Sequence, residues 1–328
     1  MNKILFFVDI YKWLMDFIDF FTGGEVTIFF RFHNAKLSVR HNYKAFMIIF
    51  KHGKELQIYL EKQKALEHSV GFVPTMGALH AGHFSLLEKC KAISQLTVAS
   101  IFVNPTQFNN TEDLKKYPRP VTNDILILEE SGCDILFLPG EMEIYPDEDS
   151  KKKSFDLGVL ETILEGKFRP GHFQGVCLVM EKLLNTVNPD FLFLGQKDYQ
   201  QCFIIKKLTE LIHKKTDIII CPIFREKSGL AMSSRNVRLN SSDRQTASEL
   251  YKSLLLIKDN LASGNFSKLK IEVLHRLETK GFKVEYLELA KRDNLEIVTN
   301  FKKDEEFIIL IAAFISDVRL IDNILINP

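Results

Sequence analysis

An apolar run at 70–73 leads without a spacer into Pro74-Thr75-Met76-Gly77-Ala78-Leu79-His80-Ala81-Gly82-His83, beyond which Phe84, Leu87, Cys90 and Ile93 recur at helical spacing. The stretch reads as strand, tight turn and helix start. A strand feeding directly into a helix belongs in an open parallel sheet, whose ligands sit at the carboxyl ends of the strands. The first N–H groups of a helix lack partners within the helix and the macrodipole is positive there, so the turn favours an anion such as phosphate. His80 and His83 lie three residues apart on one face of that turn, and Gly77 and Gly82 suit a backbone turning tightly beside a ligand. The glycine spacing lacks the Lys-Ser/Thr of a P-loop. A zinc pair would need a third ligand that the neighbouring sequence does not supply.

The same alternation continues down the chain. A β-branched, apolar strand is predicted at 96–103, ending in the loop Asn104-Pro105-Thr106-Gln107-Phe108. A helix over 123–130, a strand over 134–138, a turn-rich loop at 165–173 and a helix over 176–186 follow. The strand 191–194 runs into Gly195-Gln196-Lys197-Asp198-Tyr199-Gln200-Gln201, a second strand-to-helix junction carrying polar groups. A helix to about 213 and a strand at 218–220 complete a parallel sheet domain spanning 47–221. Past Cys221-Pro222 the pattern changes. A loop rich in small and donor residues, Gly229-Leu230-Ala231-Met232-Ser233-Ser234-Arg235-Asn236 among them, precedes helices at 242–262 and 267–280 and strands at 284–290, 307–314 and 318–321. These predict a smaller α+β domain over 222–328.

A chain of 328 residues, 46% hydrophobic and 26% charged, can bury two cores. A net charge of +1 gives no general attraction to nucleic acid, so an anion must be bound locally. The five cysteines form no Cys-x-x-Cys and sit in or beside apolar stretches, as reduced residues of a cytoplasmic protein do. Residues 1–46 mix aromatics with Asp9, Lys12, Asp16 and Asp19, so no membrane-spanning run forms, and they carry no secretory cleavage pattern. They are expected to be either an upstream translation artefact or a poorly packed appendage outside the fold, with Met47 as the native start.

His80-Ala81-Gly82-His83 resembles the HIGH signature of the nucleotidylyl transferase superfamily. Together with NPTQF at 104–108, GQKDYQQ at 195–201 and GLAMSSRN at 229–236, the motif block resembles the pantothenate synthetase (pantoate–β-alanine ligase) family. FRPGHFQGV at 168–176, VEYLEL at 284–289 and VRLIDN at 318–323 extend the likeness to nearly everything after residue 46. The resemblance implies a Rossmann-like first domain. It also implies ATP-dependent condensation of (R)-pantoate with β-alanine through a pantoyl-adenylate, with ATP as substrate, Mg²⁺ as cofactor, and a cytoplasmic homodimer with no nucleic-acid or membrane partner.

By the same resemblance, His83, His80 and Lys197 are catalytic. ATP would meet residues 74–83, Gly195, Gln196, Lys197, Asp198, Phe224, Met232, Ser233, Ser234 and Arg235. Gln107 and Gln201, with Asn104 close by, would bind pantoate. Physically, in-line attack of a carboxylate on the α-phosphate needs positioned donors rather than an enzyme nucleophile, and neutral amides bind pantoate without quenching its carboxylate. Asp198 reads equally as a Mg²⁺ or ATP contact and as a helix N-cap. Arg169 and His172 are further candidates. Two positions depart from the family: Gln196 stands where Glu is usual and Ser228 where Asp is usual. A transferase acting on a phosphorylated acceptor would call for more cations near the amide loops, and an RNA-binding relative would call for a basic, aromatic-studded face.

Overall fold

The computed structural model describes residues 26–28, 47–262, 264–301 and 304–326. Most of the expected appendage therefore lies outside the described residues. Its three described residues, β1 (Val26–Ile28), pair antiparallel with β2 (Ile48–Phe50), Val26 in register with Phe50.

From β2 the sheet is parallel: β3 (Val70–Thr75), β4 (Leu96–Ile101), β5 (Ile135–Phe137), β6 (Phe191–Gly195) and β7 (Asp217–Cys221), in the spatial order β1-β2-β5-β4-β3-β6-β7. The predicted strands are continuous apolar runs because the sheet is covered on both faces. Phe72 and Val98 point into a core shared with Leu56, Leu60, Val176 and Leu184 of the helices Gly53–Ala65 and His172–Val187. Their neighbours Val73 and Ala99 point the other way, against Leu87, Cys90 and Leu128 of the helices Ala81–Ile93 and Val121–Glu130. The chain steps outward from β3 through β4 to β5, then returns to the opposite side of β3 as β6. That reversal leaves a crevice between the carboxyl ends of β3 and β6, where open α/β sheets bind ligands.

The second sheet is antiparallel, β8 (Phe282–Lys291), β9 (Ile297–Val298), β10 (Phe307–Ile315) and β11 (Val318–Ile326), ordered β11-β10-β8-β9. Ile309 and Ile311 pack with Leu254, Val273 and Leu277 of the helices Glu249–Asn260 and Phe266–Thr279. Ile308 and Leu310, on the opposite face, pack with Leu164 and Tyr199 of the first domain. The apolar run of β10 thus has no solvent face.

Several boundaries differ from expectation. The helix expected over 242–262 is two, Ser241–Ala247 and Glu249–Asn260; at the break the Ser248 hydroxyl donates back to the Gln245 carbonyl. The helix expected from 176 already begins at His172. β4 stops at Ile101, two residues early, because the chain turns into a 3₁₀ segment capped by the Asn104 side chain. The last strand continues to Ile326, paired with β10 along its whole length.

Candidate active site

The motif turn is built by a residue far from it in sequence. Asp124, fully buried on the helix Val121–Glu130, accepts the Ala78 and Leu79 N–H groups at 2.8 Å each. Thr75 donates its hydroxyl to the Ser100 carbonyl and accepts the Gly77 N–H. Gly77 has φ 78°, and a Cβ there would come within 2.9 Å of the Asp124 carboxylate, so both backbone and space require glycine. Most amides of the turn and helix start are already hydrogen-bonded. The N–H groups of Gly77, His80, Gly82 and His83 have partners within the turn, and those of Ala78 and Leu79 are taken by Asp124.

What the turn does offer is two imidazoles. His80 Nδ1 accepts from Gly82 N–H at 3.2 Å and His83 Nδ1 accepts from His80 N–H at 3.3 Å, a reciprocal cap at the first turn of Ala81–Ile93. An acceptor Nδ1 leaves the proton on Nε2, so both rings are neutral Nε2–H donors. Burial first, then the charge of Lys197, brings His80 down to about 4. Burial, then His80 and Lys197, holds His83 well below the ordinary histidine value. The rings lie 4.1 Å apart, centroid to centroid.

Opposite, at the end of β6, Lys197 Nζ bonds Asp198 Oδ1 at 3.0 Å. Asp198 occupies the N-cap position of Tyr199–Leu211, yet its side chain makes no capping bond. The Gln196 side chain is held on the second domain. Its amide donates to Asn323 Oδ1 on β11, and Asn323 Nδ2 donates back to the Gln196 and Lys197 carbonyls at 2.9 and 3.1 Å. A glutamine suits that reciprocal pair, because a carboxylate could not donate to Asn323. Gln201 lines the crevice, and its side chain makes no hydrogen bond among the described residues.

In the 104–108 loop the two amides take different parts. Asn104 is buried and saturated, its NH₂ donating to Gln107 Oε1 and the Gly175 carbonyl, its oxygen accepting from Tyr145 and Thr106. Gln107 Oε1 is thereby occupied while its Nε2 faces only the weakly accepting Met76 sulfur at 3.1 Å. Asn104 aims Gln107 from below and has no donor left for a ligand.

The second domain contributes a hairpin in which Met232 N–H returns to the Phe224 carbonyl. Arg225 anchors it, bidentate to Asp322 at 2.7 and 2.9 Å and stacked 3.6 Å from the Tyr251 ring. Ser228 sits at the hairpin turn, where its hydroxyl accepts from Leu230 N–H. Beyond the hairpin, Ser234 donates to the Ala78 carbonyl at 3.0 Å, docking this segment on the motif turn. Ser233 caps the Arg235 N–H, and the Arg235 guanidinium rests on Asp113 at 2.7 Å and over the Tyr117 ring. Burial would raise Asp113, but Arg235 and Arg238 outweigh it and hold the carboxylate below its usual range. Asp113 and Asp124 had no sequence signal, since each is an isolated polar residue defined only by what the fold brings to it, and Asn323 lay in the VRLIDN likeness without a role assigned to it.

These groups converge. A cavity of about 220 Å³ is lined by His80, His83, Gln107, Lys197, Gln201 and Phe224 among others. A second, of about 310 Å³, lies between the domains and shares Lys197, Asp198, Ser233 and Arg235 with it. Among the described residues no cluster of three or more His, Cys, Asp or Glu gathers to hold a metal, and no helix is long and apolar enough to cross a membrane.

Comparison with known proteins accounts for this arrangement. The sequence profile of the Pantoate-beta-alanine ligase family matches residues 48–325. The chain belongs to that family. It is 44% identical to pantothenate synthetase of Cytophaga hutchinsonii over 276 residues, covering 83% of this chain and 97% of that one. It is 41% identical to the Bacteroides thetaiotaomicron pantothenate synthetase over 272 residues, with 83% and 96% covered. Among solved structures, pantothenate synthetase from Thermus thermophilus superposes with a TM-score of 0.78 at 34% identity, covering 85% of this chain and 99% of that one. Pantoate-beta-alanine ligase from Francisella tularensis, solved as a complex with beta-gamma ATP and beta-alanine, gives 0.71 at 38% identity, with 85% and 97% covered.

Proposed function

We propose that this family member joins (R)-pantoate to β-alanine in two steps, and that the residues gathered at the β3–β6 crevice carry both. The observation behind the reading is one cavity that holds two neutral imidazole donors, a lysine and two amides with no activated nucleophile beside them. All five cysteines are buried, and burial pushes Cys133 and Cys177 up to about 12.

In the first step a pantoate carboxylate oxygen attacks the α-phosphorus of ATP, and the bond to the bridging oxygen breaks as diphosphate leaves. Gln107 Nε2 and the free amide of Gln201 hold the pantoate. His83 and His80 donate from Nε2 to phosphate oxygens on which charge grows, and Lys197 neutralises the leaving diphosphate. Neutral donors suit the task, because they stabilise the phosphate without ion-pairing the attacking carboxylate. Met76, Met232 and the half-exposed Phe224 pack on the nucleotide, and Ser233, Ser234 and Arg235 close over its phosphates. In the second step the β-alanine amine attacks the acyl carbon, AMP leaves, and the amine proton passes to solvent.

Mg²⁺ fits the oxygen donor set. Asp198 keeps a partly exposed carboxylate beside Lys197 that caps no helix, and Mg²⁺ is commonly held by one carboxylate plus substrate phosphates. It would supply further neutralisation of phosphate charge. The family resemblance supports a cytoplasmic homodimer, and sedimentation velocity tests the assembly. Turnover tests the activity: AMP and diphosphate should appear in equal amounts only when pantoate and β-alanine are both present. Steady release with either acceptor omitted would contradict the reading.

A further inference from the structure

The loop that presents Gln107 is gripped from below by the start of the helix His172–Val187. His172 is buried, and its Nδ1 lies 2.8 Å from the Gln107 carbonyl oxygen while its Nε2 lies 2.9 Å from Arg169 Nη1. A carbonyl only accepts and a guanidinium only donates, so the partners fix the ring as the neutral Nδ1–H tautomer. Burial, reinforced by the Arg169 charge, brings His172 down to about 3. Arg169 is held by Glu165 at 3.5 Å, and Glu165 by Arg319 through two bonds at 2.7 and 2.8 Å. One turn further along the same helix, Gly175 accepts from Asn104, and a Cβ there would come within 2.3 Å of the Thr106 carbonyl oxygen. The His172 side chain thus holds the Gln107 backbone and Asn104 holds its side-chain oxygen, leaving its NH₂ with only the weakly accepting Met76 sulfur beside the cavity.

We propose that His172 is a positioning residue that sets the affinity for pantoate by holding the Gln107 backbone, with Arg169 fixing its tautomer. The proposal rests on the reading that Gln107 binds pantoate. His172→Asn retains an amide donor at the place of Nδ1, whereas His172→Gln retains only the acceptor for Arg169. Losing the bond to Gln107 should raise the pantoate KM about tenfold in His172→Gln, while the KM for ATP and for β-alanine stays within about twofold. His172→Asn should bring the pantoate KM back to within about threefold of the wild type. Gly175→Ala, which displaces the loop without touching His172, should reproduce the selective rise and serves if His172→Gln does not fold. Gln107→Ala should raise the pantoate KM at least as much. Equal defects in His172→Asn and His172→Gln, or a parallel rise in all three KM values, would overturn the proposal. A raised pantoate KM in Gln107→Ala beside a normal one in His172→Gln and Gly175→Ala would overturn it alone, and a normal one in Gln107→Ala would overturn the pantoate reading with it.

Discussion

On the proposed reading two neutral histidines at the head of a helix meet the triphosphate, and their hydrogen bonds fix how each ring is presented. Each ring commits its Nδ1 lone pair to a backbone N–H, so its only outward group is a donor. Two of the backbone amides near the helix start, those of Ala78 and Leu79, are taken by Asp124. Replacing His83 or Lys197 by alanine should each lower kcat/KM by about 10² or more, the loss seen when one transition-state donor is removed. Steady-state kinetics with all three substrates check this, and near-normal turnover in either variant would remove that residue from the mechanism.

At the level of elements, the strand-to-helix junctions were legible in the sequence because each is contiguous. The motif block and Gly195-Gln196-Lys197-Asp198 each carry a strand end, a turn and a helix start within a few residues. Their supports were not legible. Asp124 reaches back 45 residues to Leu79, and Asn323 reaches 127 residues to Gln196, so only the sheet order makes them neighbours. The docked segment is the element expected to respond to nucleotide. Its ties to the first domain are mainly polar, Ser234 to Ala78 and both Arg235 and Arg238 to Asp113. Amide hydrogen exchange over 226–238 should therefore slow on ATP binding as phosphates add partners for the serines and Arg235. Unchanged exchange at saturating ATP would mean a rigid, preformed site.

Across the whole molecule the two domains are joined by an ionic cluster as well as by the Ile308 and Leu310 face. Glu165 of the first domain is buried, which by itself would raise its pKa. The bidentate Arg319 of β11, with Arg169 and the Tyr286 hydroxyl, instead brings it down to about 2. The unfolded chain therefore binds this proton more readily than the folded one between roughly pH 4.5 and 2. The stabilisation is present above that window and is lost as pH falls through it, by roughly 3 kcal/mol at most. Denaturant unfolding from pH 6 to 2.5 should show a shallower acid-side decline for Glu165→Gln than for the wild type, together with a lower stability at pH 6. Identical slopes would deny the cluster this role. A chain beginning at Met47 should fold and keep its activity, since the family match starts at residue 48 and the first proposed site residue is Pro74. Loss of folding or turnover in the shortened chain would show that the edge strand β1 is a needed part of the sheet.

Every role assigned to the crevice depends on pantoate itself, and no group of the protein, attacking the α-phosphorus. Turnover with pantoate labelled with ¹⁸O in its carboxylate, followed by mass spectrometry of the products, reads that attack out. AMP should carry one ¹⁸O atom and the diphosphate none, because the oxygen that bonds to phosphorus leaves with AMP when β-alanine attacks the acyl carbon. Unlabelled AMP, or label in the diphosphate, would mean that pantoate is not the group that attacks there.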